Sequence, residues 1–345
     1  MSATAKNFLI TGFGAIGRRH LQTIRALDFE AEITVLRHRR GDNGEDSENP
    51  EGATVVHDLA AALEIGIDAA VIAGPASGHV ETALSLAAAG VHLLVEKPLS
   101  DRLQGARALV DSCRDKGLVL QVGYCLRFLE SQSALHRALT DAMVGRVVGV
   151  EAVVGQYLPD WRPGRDYRRT VSARRELGGG ALLELSHEID YLLWHLGAIA
   201  TVDARLGRLS DLEIDVEDTV DMKLAFNSGV PGILHMDMVS RPPRRFCRVE
   251  GEKGVLFWDG IGGQTRYHRP DGGDEEGTLL AADDTDGGGR NEMYERQLVH
   301  FLDRIEHGGA PLVGGEEGIK VLEVVEAARR SANTGRPVNM GAAPQ

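Results

Sequence analysis

Phe8-Leu-Ile-Thr11 followed by Gly12-Phe13-Gly14-Ala15-Ile16-Gly17 is the stretch that decides the fold. The apolar run reads as a short strand, the glycines break it, and Leu21, Ile24 and Leu27 then recur at the spacing of one helix face. Gly12 permits a tight turn, Gly14 lets backbone approach a pyrophosphate, and Gly17 allows close packing of helix on strand. The amino terminus of the following helix adds partial positive charge where a phosphate would lie.

The same alternation continues outward from that turn. Strand-like runs fall at 33–36, 53–56, 69–73, 91–95 and 118–122. Helical patterns separate them, one capped by Asp58, one stopped by Gly90 and one by Gly117. The run 69–73 is apolar without a break, as a strand covered on both faces should be. Residues 1–123 are therefore expected to form a parallel, doubly wound α/β sheet that binds a dinucleotide. The polar stretch 41–52 is expected to be a loop.

Beyond residue 124 the pattern changes. A helix near 132–142, a long strand over 147–156 and an irregular, basic and aromatic segment over 157–175 lead to a helix over 180–196. Strand-like stretches follow at 201–207, 219–226, 231–240, 245–250 and 254–258. Consecutive strands of this kind predict an α+β domain over 124–345 with a large, mostly antiparallel open sheet. An Asp/Gly-rich stretch, 271–289, reads as a mobile loop, and two helices near 292–307 and 316–333 complete the chain.

Bulk properties narrow the function. A chain of 345 residues is long for one core, so two domains are expected. The formal charge of -13 leaves no basic footprint for nucleic acid or an anionic membrane. Cys113, Cys125 and Cys247 show no metal-ligand spacing and suit a reducing compartment, with no metal expected. No signal peptide or membrane-length apolar run is visible, which predicts a cytoplasmic protein.

Several residue groups carry chemistry. Where an acidic residue would grip an NAD ribose, the chain reads Arg37-His38-Arg39-Arg40. Arginine suits a ribose 2′-phosphate, which favours NADP over NAD, although these side chains could equally pair with Glu45, Asp46, Glu48 and Glu51. Glu96-Lys97-Pro98 follows the fifth strand, at the strand end that faces the ligand crevice in such sheets. Lys97 can donate to a substrate hydroxyl and stabilise developing negative charge, and a cis Pro98 would aim it.

Gly178-Gly179-Gly180 opens the helix whose apolar stripe is Leu182, Leu185, Ile189, Leu192 and Leu196. Glu184, His187 and Tyr191 share another face by spacing. His187 is a candidate general acid/base, and Glu184 a candidate partner. Arg127, Arg162, Asp166 and Tyr167 are candidate substrate contacts, the last three within a segment that also reads as a charged interface loop.

Together these motifs resemble the Gfo/Idh/MocA family of glucose–fructose oxidoreductase and inositol dehydrogenase. Pro75-Ala-Ser-Gly-His79, GGGALLELSHEID and SANTGRPV (331–338) complete the resemblance, which runs through most of the chain. It implies a Rossmann domain plus a domain whose open sheet mediates homodimers or homotetramers. It also implies a sugar or cyclitol substrate whose secondary hydroxyl exchanges a hydride with NAD or NADP. Pro75, His79, Glu96 and Lys97 are thereby expected at the cofactor, and the family's catalytic lysine, carboxylate and histidine fall on Lys97, Glu184 and His187. Many members carry aspartate at the position of Glu184 and place the histidine four residues later rather than three. GFGAIGRRHL and WRPGRDYRR–SARRELGGG resemble a bacterial subgroup tied to modified sugars, which points to an amino sugar or aminocyclitol. An NAD-retaining glycosidase and a non-catalytic dinucleotide sensor are the rival readings.

Overall fold

The structure, a computed structural model, describes residues 6–28, 30–37, 50–272, 276–284 and 289–341, with the side chains of 289 and 290 omitted. His38, Arg39 and Arg40 therefore lie outside the described residues, as does most of the 41–52 stretch.

Residues 1–125 and 291–319 form one compact unit. Strands and helices alternate except between β2 and β3: β1 (Asn7–Thr11), α1 (Ala15–Leu27), β2 (Glu32–Leu36), β3 (Thr54–Val56), α2 (Leu59–Glu64), β4 (Ala69–Ile72), α3 (His79–Ala88), β5 (His92–Val95), α4 (Ala106–Asp115) and β6 (Leu120–Val122). The six strands are all parallel, in the order β3-β2-β1-β4-β5-β6. The order reverses between β1 and β4, the point at which doubly wound sheets bind their ligands. Every residue of β4 is buried, as its unbroken apolar run requires. Asp58 caps α2 by accepting the Ala61 N–H at 2.8 Å.

The later segment joins this unit through its own apolar residues. Leu298 and Phe301 pack in the same cluster as Phe8, Ile10, Ile24 and Val71. The Val122 N–H donates to the Val313 carbonyl at 2.9 Å, and Gln121 Nε2 to the Gln297 carbonyl at 3.0 Å.

Residues 126–290 and 320–345 form the second unit. In chain order come α5 (Glu130–Thr140), β7 (Val147–Gly155), α6 (Ala181–Glu184), α7 (His187–Leu196), β8 (Ile199–Gly207), β9 (Thr219–Phe226), β10 (Pro231–Asp237), β11 (Arg244–Gly251), β12 (Gly254–Asp259), β13 (Gln264–His268) and β14 (Thr278–Ala282). The helices α8 (Gly289–His307) and α9 (Gly315–Thr334) and the short β15 (Val338–Asn339) follow. Nine strands line up as β14-β13-β12-β11-β7-β10-β9-β8-β15, and of these pairs only β7–β10 is parallel.

Alternation along the strands separates the two faces of this sheet. Val220, Met222, Leu224, Leu234, Met236, Cys247 and Val249 are buried, whereas Asp221, Lys223, Ile233, Arg248 and Glu250 are exposed. Helices α5, α6 and α7 lie against the strands, and Ser331 of α9 accepts the Ala204 N–H at 2.9 Å. No helix among the described residues is long and apolar enough to cross a membrane.

Three expectations change. The single helix over 180–196 is two, because the backbone leaves helical geometry at Leu185 and the second helix starts at His187. Spacing across that break does not fix a common face. Tyr191 is fully buried, edge-on to Trp258 with ring centres 5.6 Å apart, and does not share an open face with Glu184. The third change is β14, which pairs with β13 inside the stretch expected to be loop. It is a short edge strand with Leu279 47% exposed, so burial imposes little pattern on its sequence.

Candidate active site

In the first unit, the glycine turn after β1 is shaped by contacts that no side chain would survive. Gly12 has φ +84°, and a Cβ there would meet Gly74 Cα at 2.8 Å. A Cβ at Gly17 would lie 2.2 Å from the Gly12 carbonyl oxygen, which is why helix and strand come so close. Gly14 faces open space and is exposed, as is Ala15, while Ile16 is half-buried. The first turn of α1 contains no acidic residue and has no side-chain cap. Its N–H groups thus suit the pyrophosphate of a dinucleotide, and the residues present fit that group.

Phe13 sits beside this turn with the Arg18 guanidinium 4.8 Å and the Arg37 guanidinium 6.0 Å from its ring centre. Arg37 is 8% exposed, and its backbone closes onto Val56 at 3.0 Å. The arginine beyond β2 is therefore a packed residue rather than a solvated one.

Glu96-Lys97-Pro98 leaves the carboxyl end of β5 with a cis Lys97–Pro98 bond. Two buried histidines hold it. His20 Nε2, from α1, lies 2.6 Å from Glu96 Oε1, and the other carboxylate oxygen of Glu96 accepts the Lys97 N–H at 3.2 Å. His79, at the start of α3, places Nδ1 2.9 Å from the Pro98 carbonyl and Nε2 2.9 Å from the Gly74 carbonyl. Burial lowers the His79 pKa, so the neutral ring offers a single N–H to these two acceptors. His79 and Glu96 were expected at the cofactor; the structure commits both side chains to fixing the turn after β4 and the loop after β5. Pro75, in that turn, is exposed, and Lys97 is half-buried.

In the second unit, the segment Glu184 to Asp190 carries two fully buried acids and two half-buried polar groups. Glu188 is fully buried and receives Arg245 at 2.7 and 3.1 Å. Asp190, 1% exposed, receives Arg127 Nε at 2.9 Å and Nη2 at 2.7 Å. Arg127 was expected to meet substrate; its guanidinium instead completes this buried fork and lies 5.3 Å from the Trp194 ring centre. Glu184 and His187 remain half-buried.

Glu184 is fixed from the preceding segment. Ser172 is 2% exposed, and its hydroxyl donates to Glu184 Oε2 at 2.9 Å. The two stretches touch closely, since a Cβ at Gly179 would lie 2.2 Å from the Val171 carbonyl oxygen. Gly180, at φ +105°, leaves room for Glu217, whose carboxylate accepts the Leu182 N–H at 3.1 Å. Burial pushes the Glu217 carboxyl up.

Arg162 and Tyr167 border a shallow surface depression together with Ser172. Asp166 does not join them as an open contact: its carboxylate caps its own turn through the Arg168 N–H at 3.1 Å and pairs with the Arg168 guanidinium at 2.8 Å. Sequence reasoning missed His20 and Ser172. A histidine one turn past Gly17 and a serine in an irregular segment gave no signal, because their partners lie 76 and 12 residues away.

Comparison with known proteins finds two family profiles along the chain. Residues 6–124 match the profile "Oxidoreductase family, NAD-binding Rossmann fold", and residues 137–340 match "Oxidoreductase family, C-terminal alpha/beta domain". The chain is 28% identical over 277 residues to a 1,5-anhydro-D-fructose reductase of Ensifer adhaerens, covering 78% of this chain and 79% of that one. It is 23% identical to a myo-inositol 2-dehydrogenase of Thermotoga maritima, covering 96% and 97%. The crystal structure of GenD2 from gentamicin A biosynthesis in complex with NAD superposes with a TM-score of 0.80 at 26% identity, covering 99% and 98%.

Proposed function

Because this chain belongs to the Gfo/Idh/MocA oxidoreductase family, we propose that it transfers a hydride between a nicotinamide cofactor and a secondary hydroxyl, or the matching ketone, of a sugar or cyclitol. Amino derivatives fall within that substrate class. The observation that carries the reading is Lys97, placed at the carboxyl end of β5 between two residues, Glu96 and Pro98, that buried histidines hold, in a doubly wound sheet whose Gly14 turn is open.

Residues 12–17 hold the dinucleotide pyrophosphate on backbone N–H groups. Pro75 and the His79 and Glu96 clamps shape the rest of the cofactor floor. Arg37 and Arg18 beside Phe13 support a 2′-phosphate, so NADP is favoured over NAD. When bound, the nicotinamide supplies the redox chemistry. Lys97 donates to the reacting oxygen and stabilises the charge that grows there. His187 takes the hydroxyl proton on oxidation and returns it on reduction. Glu184, fixed by Ser172, orients His187 or a neighbouring substrate hydroxyl. Residues 1–123 serve the cofactor and 124–345 the substrate, and copies assemble through the exposed sheet face around Ile233, which is 57% exposed.

Mass spectrometry of dinucleotide released from the purified protein, followed by a polyol panel with NAD and NADP, tests this reading. The expected result is bound NAD(P) and reduction of one cofactor by a sugar or cyclitol. Glycoside cleavage without net cofactor reduction, or cofactor binding without turnover of any polyol, would overturn it.

A further inference from the structure

Glu96, the residue before Lys97, carries a buried carboxylate, 7% exposed, in a space that Gly123 leaves for it. A Cβ at Gly123 would lie 2.9 Å from Glu96 Oε2 and 3.0 Å from its Cα. Oε1 lies 2.6 Å from His20 Nε2, and Oε2 accepts the Lys97 N–H at 3.2 Å.

The side chains packed around this carboxylate do not cancel its charge. His20 Nδ1 is buried with no hydrogen-bond partner among the described residues, so the ring fits as a neutral imidazole donating from Nε2. A second proton, on Nδ1, would be buried without an acceptor. The other histidine of this loop, His79, has its pKa lowered by burial and is neutral too. Tyr294 of α8 meets His20 edge to face, with ring centres 5.9 Å apart. Burial above all, then Cys125 and Glu96, pushes the Tyr294 hydroxyl well above its usual value, so it stays uncharged. Arg19 turns to that tyrosine, its guanidinium 4.8 Å from the ring centre. Among the described residues, no lysine or arginine side chain forms an ion pair with Glu96.

We propose that Glu96 is a fixed negative charge that biases the bound cofactor toward its oxidised form. The proposal rests on the reading that Lys97 faces the nicotinamide. The oxidised nicotinamide ring is a cation, and a hydride from the substrate carbon, one proton with two electrons, makes it neutral. An anion on the residue next to Lys97 therefore attracts the oxidised ring and gains nothing from the reduced one. Reduced cofactor is then the form released more readily once a sugar or cyclitol has been oxidised. Exchanging Glu96 alone leaves Lys97 in place, so the difference isolates the carboxylate.

Calorimetric titration of the protein, freed of co-purifying dinucleotide, with NAD, NADH, NADP and NADPH and no substrate tests this. Glu96→Gln keeps the shape and an acceptor for the Lys97 N–H but removes the charge. The ratio of the reduced to the oxidised dissociation constant should fall by about tenfold. Replacing the whole pair, His20→Leu with Glu96→Leu, strands neither partner and should lower the ratio equally, which covers a Glu96→Gln protein that folds poorly. His20→Gln disturbs the same contact but retains the carboxylate, so its ratio should stay near the wild-type value. A ratio unchanged in the charge-removing proteins, or an equal fall in His20→Gln, overturns the proposal, while polyol oxidation leaves hydride transfer intact. A fall confined to the charge-removing proteins, with no cofactor reduction by any polyol, supports the charge and overturns the hydride reading instead. Binding of no dinucleotide overturns both.

Discussion

His20 Nε2 lies 2.6 Å from Glu96 Oε1, with the histidine side chain wholly shielded from solvent. This pair ties the first helix to the residue immediately before Lys97. Substituting His20→Leu leaves a carboxylate buried beside an apolar group. Leaving a buried hydrogen-bond acceptor without its partner costs about 1–3 kcal/mol. Urea unfolding should show a loss of that order, and a loss below about 1 kcal/mol would mean that the pair does not hold the loop.

Ser172 tests whether the position of Glu184 matters to the reaction. Ser172→Ala removes one hydrogen bond to a carboxylate without removing the carboxylate. A fall in kcat of about tenfold is expected, the size of one charge-assisted hydrogen bond, with KM for the cofactor unchanged. A rise in cofactor KM with unchanged kcat would place Ser172 outside the reaction.

The outer face of the nine-stranded sheet carries a pH-dependent stability. Burial alone would raise the Asp237 carboxyl, but hydrogen bonds from His235, Ser240 and the Val239 and Ser240 N–H groups outweigh it and hold its pKa well below the usual range. The bond to Asp237 raises the His235 pKa, with burial opposing and Asp221 adding to the rise. The Asp237 contribution is therefore present above the unfolded value of about 3.9 and is lost as pH falls through the lower folded value. The His235 contribution is complete below the unfolded value of about 6.5 and is lost as pH rises through the higher folded value. Urea midpoints should decline as pH rises above about 6.5, and His235→Gln should flatten that decline. An equal decline in the variant would assign it to other groups.

The first unit was legible because burial on both sheet faces and the glycine contacts act over a few residues. Gly17 meets the Gly12 carbonyl within the motif itself, and β4 shows its burial in four consecutive apolar residues. The second unit was legible along its central strands, where 219–226 alternates cleanly, and less so at its edges. The break at Leu185–Ser186 left no mark, since leucine and serine both tolerate helix, and it moved Tyr191 from an expected open face into the core. Arg127 looked available for substrate because Asp190, its partner, lies 63 residues further along. Long-range pairs decide which polar residues are structural, and local spacing does not encode them.

The central claim is that Lys97 and His187 serve the same proton and hydride exchange. Cofactor reduction during polyol turnover, followed by absorbance in the wild type, Lys97→Ala and His187→Ala, tests it most directly, with dinucleotide binding measured in parallel by fluorescence. Each substitution should lower kcat by ~10²–10⁴-fold while the dinucleotide still binds. Turnover near the wild-type rate in both variants would contradict the account.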